Sequence, residues 1–147
     1  MGIKTSELEV EKKEENLYIT RITRDVETAI KGSNFKSGIA TIFVGCSTAS
    51  ISTMEYTPES IKDMKEALER VAPSDADYEH HRTVADANGI GGDVNGTSHV
   101  RAAIMGPSIT IPFTEGKMLL DGGLDIVLLD FDIIKRKRKV IVQLIGE

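Results

Sequence analysis

Cysteine is almost missing from this chain. Cys46 stands alone among 147 residues, so no internal disulfide can form, and the sequence fits a reducing compartment. A chain this long needs no covalent staple, because folding should bury about 68–70% of its unfolded surface. Long apolar runs are missing too. Ile126-Val127-Leu128-Leu129 falls far short of the roughly 20 apolar residues that span a bilayer. The N-terminal MGIKTSELEVEKKEEN lacks the apolar middle of a signal peptide. Gly2 and Ser6 do fit the loose myristoylation pattern, but no second anchoring signal accompanies them. Net positive charge is also absent: 18 Lys+Arg stand against 23 Asp+Glu, for −5, the wrong sign for a nucleic-acid coat. These absences predict a cytoplasmic protein with neither a membrane nor a nucleic-acid partner. What remains, 40% hydrophobic and 28% charged residues, is ordinary globular composition and predicts one domain over 1–147.

Residues 4–11 alternate, with Leu8 and Val10 on one side and Glu7, Glu9 and Glu11 on the other, which predicts a strand with one wet face. A short strand at Leu17-Tyr18-Ile19 leads to Thr20 as a helix cap. Ile22, Val26, Ala29 and Ile30 then form one helical face, and Gly32 is the predicted stop. Residues 38–46, apolar and β-branched, predict a central strand buried on both faces, with 49–56 as its partner. Thr57-Pro58 opens a second helix, with a buried stripe of Ile61, Met64, Leu68 and Val71 and an end at Pro73.

Residues 73–98 show no apolar period and predict a long, functional loop holding two D-x-N-G turns, at 86–89 and 93–96. Ser98 is the predicted cap of a short helix that Gly106 ends. Strands follow from 109 to 145, with Pro112 demanding an edge or bulge. The fold class is α+β: mixed or antiparallel strands, possibly stacked as two sheets, with two main helices.

Chemistry-bearing residues gather in the second half. His80, His81 and His99 lie off any apolar face, and Cys46 ends a buried strand. Imidazole and thiolate suit a zinc-like ion, but the spacing matches no established zinc signature, and polar loop histidines with an inert cysteine read equally well. Glu55 could steady a histidine or act as a base, or be a solvated strand end; Asp63, Asp86 and Asp93 are weaker candidates. Gly89-Ile90-Gly91-Gly92 lacks the third glycine of a phosphate fingerprint and any strand before it. The run Lys135 to Lys139 is a compact cationic patch, read as a solvated hairpin or an anion contact.

Four segments carry a resemblance: GCSTASISTME at 45–55, YEHH at 78–81, SHVRAAIMGPSITIPF at 98–113 and RKVIVQLIGE at 138–147. Through them the chain resembles the YjbQ family, also described as the secondary thiamine-phosphate synthase enzyme family. The resemblance implies a YjbQ-like β-sandwich, a homotrimer, and a polar cleft near a subunit boundary. His80 and His99 fall on the family's retained histidines, Glu55 on its glutamate and Asp63 on its aspartate. The implied centre has Glu55 and His99 as catalytic groups and His80, His99 and Cys46 around zinc or another divalent metal. Arg101 or the basic run would assist a small phosphorylated ligand. The implied reaction joins a pyrimidine diphosphate to a thiazole phosphate. Cys46 replaces the family's first histidine, and Asp121-Gly122-Gly123-Leu124 replaces its Gly-Thr-Trp-Gln segment. Those departures leave two other readings open: a non-catalytic trimeric scaffold, or a metal-dependent hydrolase of a small phosphate ester.

Overall fold

The computed structural model describes residues 1–81 and 94–147. The first D-x-N-G turn, Gly89-Ile90-Gly91-Gly92, Asp86 and Asp93 lie outside the described residues. Strands β1 (Gly2–Glu11) and β2 (Tyr18–Arg21) precede helix α1 (Thr23–Ser33). Strands β3 (Ser37–Val44) and β4 (Ala49–Met54) then lead to α2 (Pro58–Val71). After it come α3 (Gly96–Met105), β5 (Ser108–Thr114), β6 (Lys117–Met118), β7 (Asp125–Asp130) and β8 (Lys137–Gly146). Two antiparallel sheets form, one in the order β1-β8-β3-β5-β6 and a smaller one in the order β2-β7-β4. The architecture is α+β, as the sequence predicts.

The small sheet is a middle layer. Its Ile51, Ile126 and Leu128 face the main core with Ala40, Ile42, Val140 and Val142 of the large sheet. Its Met54, Val127 and Leu129 face a second core under Leu68 of α2 and Ala102 of α3. The strand buried on both faces is therefore β7. The sequence pattern assigns that place to residues 38–46, but Ile39 and Phe43 of β3 stay 40% and 41% exposed on the outer face of the large sheet. Apolar residues on both sides of a strand look the same whether or not a second layer covers them. Residues 49–54 likewise pair with β7 and not with β3.

Local chemistry explains the helix ends. Thr57 caps α2, its Oγ1 accepting the Ser60 N–H at 3.1 Å, with Pro58 in the first turn, as expected. Of the predicted α2 stripe, Leu68 is buried, Ile61 and Met64 pack partly buried against the second core, and Val71, the last residue of the helix, lies 63% exposed. Thr20 does not cap α1; it stays in β2 opposite Leu128. The helix starts after Ile22, and the Thr23 hydroxyl ties that start to Asp125 Oδ1 (2.6 Å) and the Ile126 N–H (2.9 Å). Gly32 does not stop α1; Asn34, at φ 63°, takes the left-handed position beyond Ser33. Ser98 lies inside α3, whose cap is Asn95, so the second D-x-N-G copy ends as a helix start. Gly106 ends α3 at φ 88°. Glu115 and Gly116, both at positive φ, turn β5 into β6, a strand so short that Pro112 lies outside its pairing.

Candidate functional site

Helix α3 is fixed on three sides. Ser98 Oγ donates to the Phe131 carbonyl, Ser50 Oγ donates to Ala102 O at 3.1 Å, and Arg101 reaches α2. Arg101 gives Nε and Nη2 to the Ala72 carbonyl (3.1 and 2.9 Å) and Nη2 to Glu69 Oε1 at 2.6 Å. It is 6% exposed, so this guanidinium closes the C-terminus of α2 and is spent on it. The Ser74 backbone N–H and Arg101 together hold the Glu69 carboxyl below its ordinary range.

The chain after α2 folds back onto the N-terminus of α3. Tyr78 OH donates to Pro73 O at 2.6 Å, and Thr97 Oγ1 donates to the same carbonyl at 3.4 Å. The Gly96 N–H donates to His81 Nε2 at 3.1 Å, so that nitrogen is unprotonated and engaged. Gly96 has no room for a side chain: a Cβ there would stand 2.8 Å from Tyr78 Cβ and 3.0 Å from His81 Nε2. This close approach brings His80 to His99, with ring centroids 4.5 Å apart and planes at 44°. His80 Nδ1 and Asn95 Oδ1 are buried without a hydrogen-bond partner among the described residues. A buried polar atom without a partner costs about 1–3 kcal/mol, so this helix start is the place among the described residues where the fold carries that cost twice.

The other predicted residues go elsewhere. Cys46 lies in the β3–β4 turn, packed on the main core. No three His, Cys, Asp or Glu side chains among the described residues are grouped as a metal site. The three-ligand set of Cys46, His80 and His99 is thus not assembled, because Cys46 belongs to the main core and the histidines to the α3 layer. Glu55 is exposed at the end of β4, just before α2. In the chain, the 14 residues of α2 lie between that end and the segment carrying His80. Asp63 is exposed on α2.

A buried ionic network escaped the sequence reading. Arg138 grips Asp130 with two bonds, Nε to Oδ2 at 2.7 Å and Nη2 to Oδ1 at 2.9 Å, and reaches Thr48 Oγ1 at 2.7 Å. Lys12 Nζ lies 3.4 Å from Asp130 Oδ1 and donates to the Asp132 carbonyl, and Arg136 Nη2 lies 2.8 Å from Asp132 Oδ2. Burial pushes the Asp130 carboxyl up, but Arg138 and Lys12 outweigh it and hold it below the ordinary value. Burial pushes Lys12 down against the pull of Asp130. Burial also opposes Arg138, yet Asp130 raises it. The pattern behind the network is a double alternation, Asp130-x-Asp132 against Arg136-x-Arg138. The intervening Lys137 and Lys139 point outward to Glu9 (3.2 Å) and Glu7 (3.6 Å).

Comparison with known proteins agrees with this fold. The family model described as UPF0047 protein YjbQ-like matches residues 6–147. A UPF0047 protein of Methanothermobacter thermautotrophicus is 30% identical over 86% of this chain and 81% of its own. A UPF0047 protein of Methanocaldococcus jannaschii is 30% identical over 96% and 92%. The crystal structure of a YjbQ/UPF0047 family protein from Clostridium acetobutylicum superposes with a TM-score of 0.82 at 28% identity, covering 95% of this chain and 99% of that one. A hypothetical protein from Aeropyrum pernix K1 shares the fold at a TM-score of 0.86 and 24% identity, over 98% and 99%. The chain belongs to the UPF0047 YjbQ-like family.

Proposed function

We propose that the His80–His99 pair is a binding centre for a divalent cation, zinc favoured, and for a small phosphorylated ligand. The observation that carries this reading is the approach of the two rings to 4.5 Å beside His80 Nδ1, unpartnered among the described residues. Two imidazoles suit zinc but are fewer than the three or four protein ligands of an established site, so the fit is to an open centre. A bound zinc would supply Lewis acidity. The protein's own part is to hold His99 on the fixed helix α3 and to seat His80 against it through the Gly96–His81 contact. The finer reading is the transfer of a pyrimidine diphosphate to a thiazole phosphate.

Metal analysis of purified protein tests the centre. The expected result is one zinc per chain, lost in His99→Ala and retained in Cys46→Ala and Glu55→Ala. Metal-free protein of unchanged stability would favour a non-catalytic scaffold instead, a reading supported by the absence of a third ligand among the described residues. Thiamine phosphate formed in vitro by the wild type, but not by His99→Ala, would support the transfer reaction.

The protein is also proposed to assemble as a trimer. Its support is an apolar row across the outer face of the large sheet, where Ile3 pairs with Ile145, Ile145 with Ile39, and Ile39 with Pro112. Ile3 is 67% exposed and Ile39 40%. Light scattering should give three times the 16.0 kDa chain mass. Ile39→Glu should lower it to one, and a wild-type monomer would end the proposal.

A further inference from the structure

We infer that the hollow between the end of β1 and the start of β8 binds a small phosphate- or diphosphate-bearing molecule. This inference is independent of the histidine pair. The hollow has a volume of about 340 Å³ and is lined by Glu11, Lys12, Lys13, Lys135, Arg136 and Lys137. Five of the six lining residues are cations, of which Lys12, Arg136 and Lys137 already have carboxylate partners and Lys13 and Lys135 have none among the described residues. The hollow is at the small end of the range for ligand sites, large enough for a diphosphate group and too small to enclose a polymer.

Three observations point to an anion. The ionic network beneath is unbalanced: Lys12, Arg136 and Arg138 stand against Asp130 and Asp132, leaving one positive charge over. Arg136 places Nη2 on Asp132 and still lines the hollow with a side chain that is 36% exposed. A guanidinium edge matches the spacing of phosphate oxygens. Lys13 and Lys135, both exposed, make no ion pair among the described residues. They are free to close over a second charge. Phosphate chemistry is favoured over a lone carboxylate because the surplus of cations suits a doubly or triply charged group. The acidic balance of the chain disfavours an extended polyanion or an anionic lipid surface, since either would meet carboxylates outside the patch.

Calorimetric titration at low salt, with inorganic phosphate and pyrophosphate as probes, tests this site. Pyrophosphate should saturate at one per chain and bind more tightly than phosphate. Arg136→Gln should weaken it about tenfold, and Lys13→Gln with Lys135→Gln several-fold, while Lys31→Gln with Lys36→Gln changes nothing. If Arg136→Gln fails to fold, the exposed Lys13/Lys135 pair decides the matter alone. Absence of saturation, or equal weakening by the Lys31/Lys36 control, would overturn the proposal. So would binding to phosphatidylserine vesicles or single-stranded DNA that pyrophosphate does not displace.

Discussion

Asp130→Ala should cost about 3–5 kcal/mol of stability, because it strips the carboxylate from Arg138 and Lys12 where neither can reach bulk water. Asp130 is 2% exposed, Arg138 5% and Lys12 3%. A protein of this size has about 10 kcal/mol in total, so the loss should lower the melting temperature by about 10 °C or more. Thermal and urea unfolding followed by circular dichroism measure it. Asp130→Leu combined with Arg138→Met and Lys12→Met should recover a large part of the loss, since removing the carboxylate together with both of its cations avoids a stranded charge. The network also sets a pH dependence. Asp130 is held below its ordinary value in the folded state, so its contribution is complete above the unfolded carboxyl range and disappears as pH falls through the depressed folded value. Wild-type stability should therefore drop on acidification below about pH 4 more steeply than that of Asp130→Ala. Equal slopes would remove Asp130 from the account.

Gly38→Ala should be the second severe variant. Gly38 pairs with Gly146, which also pairs with Gly2, so three glycines stand side by side across β3, β8 and β1. A Cβ on Gly38 would stand 2.1 Å from the Ile145 carbonyl oxygen and 2.8 Å from Gly146 Cα, and these are backbone atoms that move only by parting the strands. The Phe35 and Phe113 rings pack on this row, with Phe35 Cζ 3.2 Å from a Cβ on Gly2 and Phe113 Cζ 3.3 Å from one on Gly146. The expected loss is about 3 kcal/mol. Gly32→Ala, in α1 with nothing within 4 Å of its Cβ position, should instead gain about 0.5–1 kcal/mol from helix propensity. A Gly38→Ala protein as stable as the wild type would show that the strands tolerate separation there.

Local signals were legible and layered ones were not. Thr57-Pro58 announced α2 because capping and proline geometry act within four residues. The Glu/Leu/Val alternation announced β1 because one of its faces is wet. Residues 38–46 and 124–132 look alike as sequence, and only the three-strand middle layer decides that β7 is covered twice. Thr20 and Gly32 are competent cap and stop residues, but pairing of β2 with β7 and the left-handed Asn34 override them. The approach of His80 to His99 does not follow from their spacing; it depends on Gly96 letting the loop after α2 close on α3. Glu55 and Arg101 looked like site residues because of their types and positions in family-like segments. Arg101 is consumed by the end of α2, and Glu55 is exposed at the end of β4. Reading the basic run as a single patch hid the period-two split that sends Arg136 and Arg138 inward and Lys137 and Lys139 outward.

The claim that two imidazoles share one centre is tested most directly by following the side-chain ¹⁵N resonances of all three histidines during a zinc titration. The account predicts that His80 and His99 shift together and saturate at one equivalent, while His81, held by the Gly96 N–H, stays in place. A response from His81 alone, or from only one of His80 and His99, would contradict it.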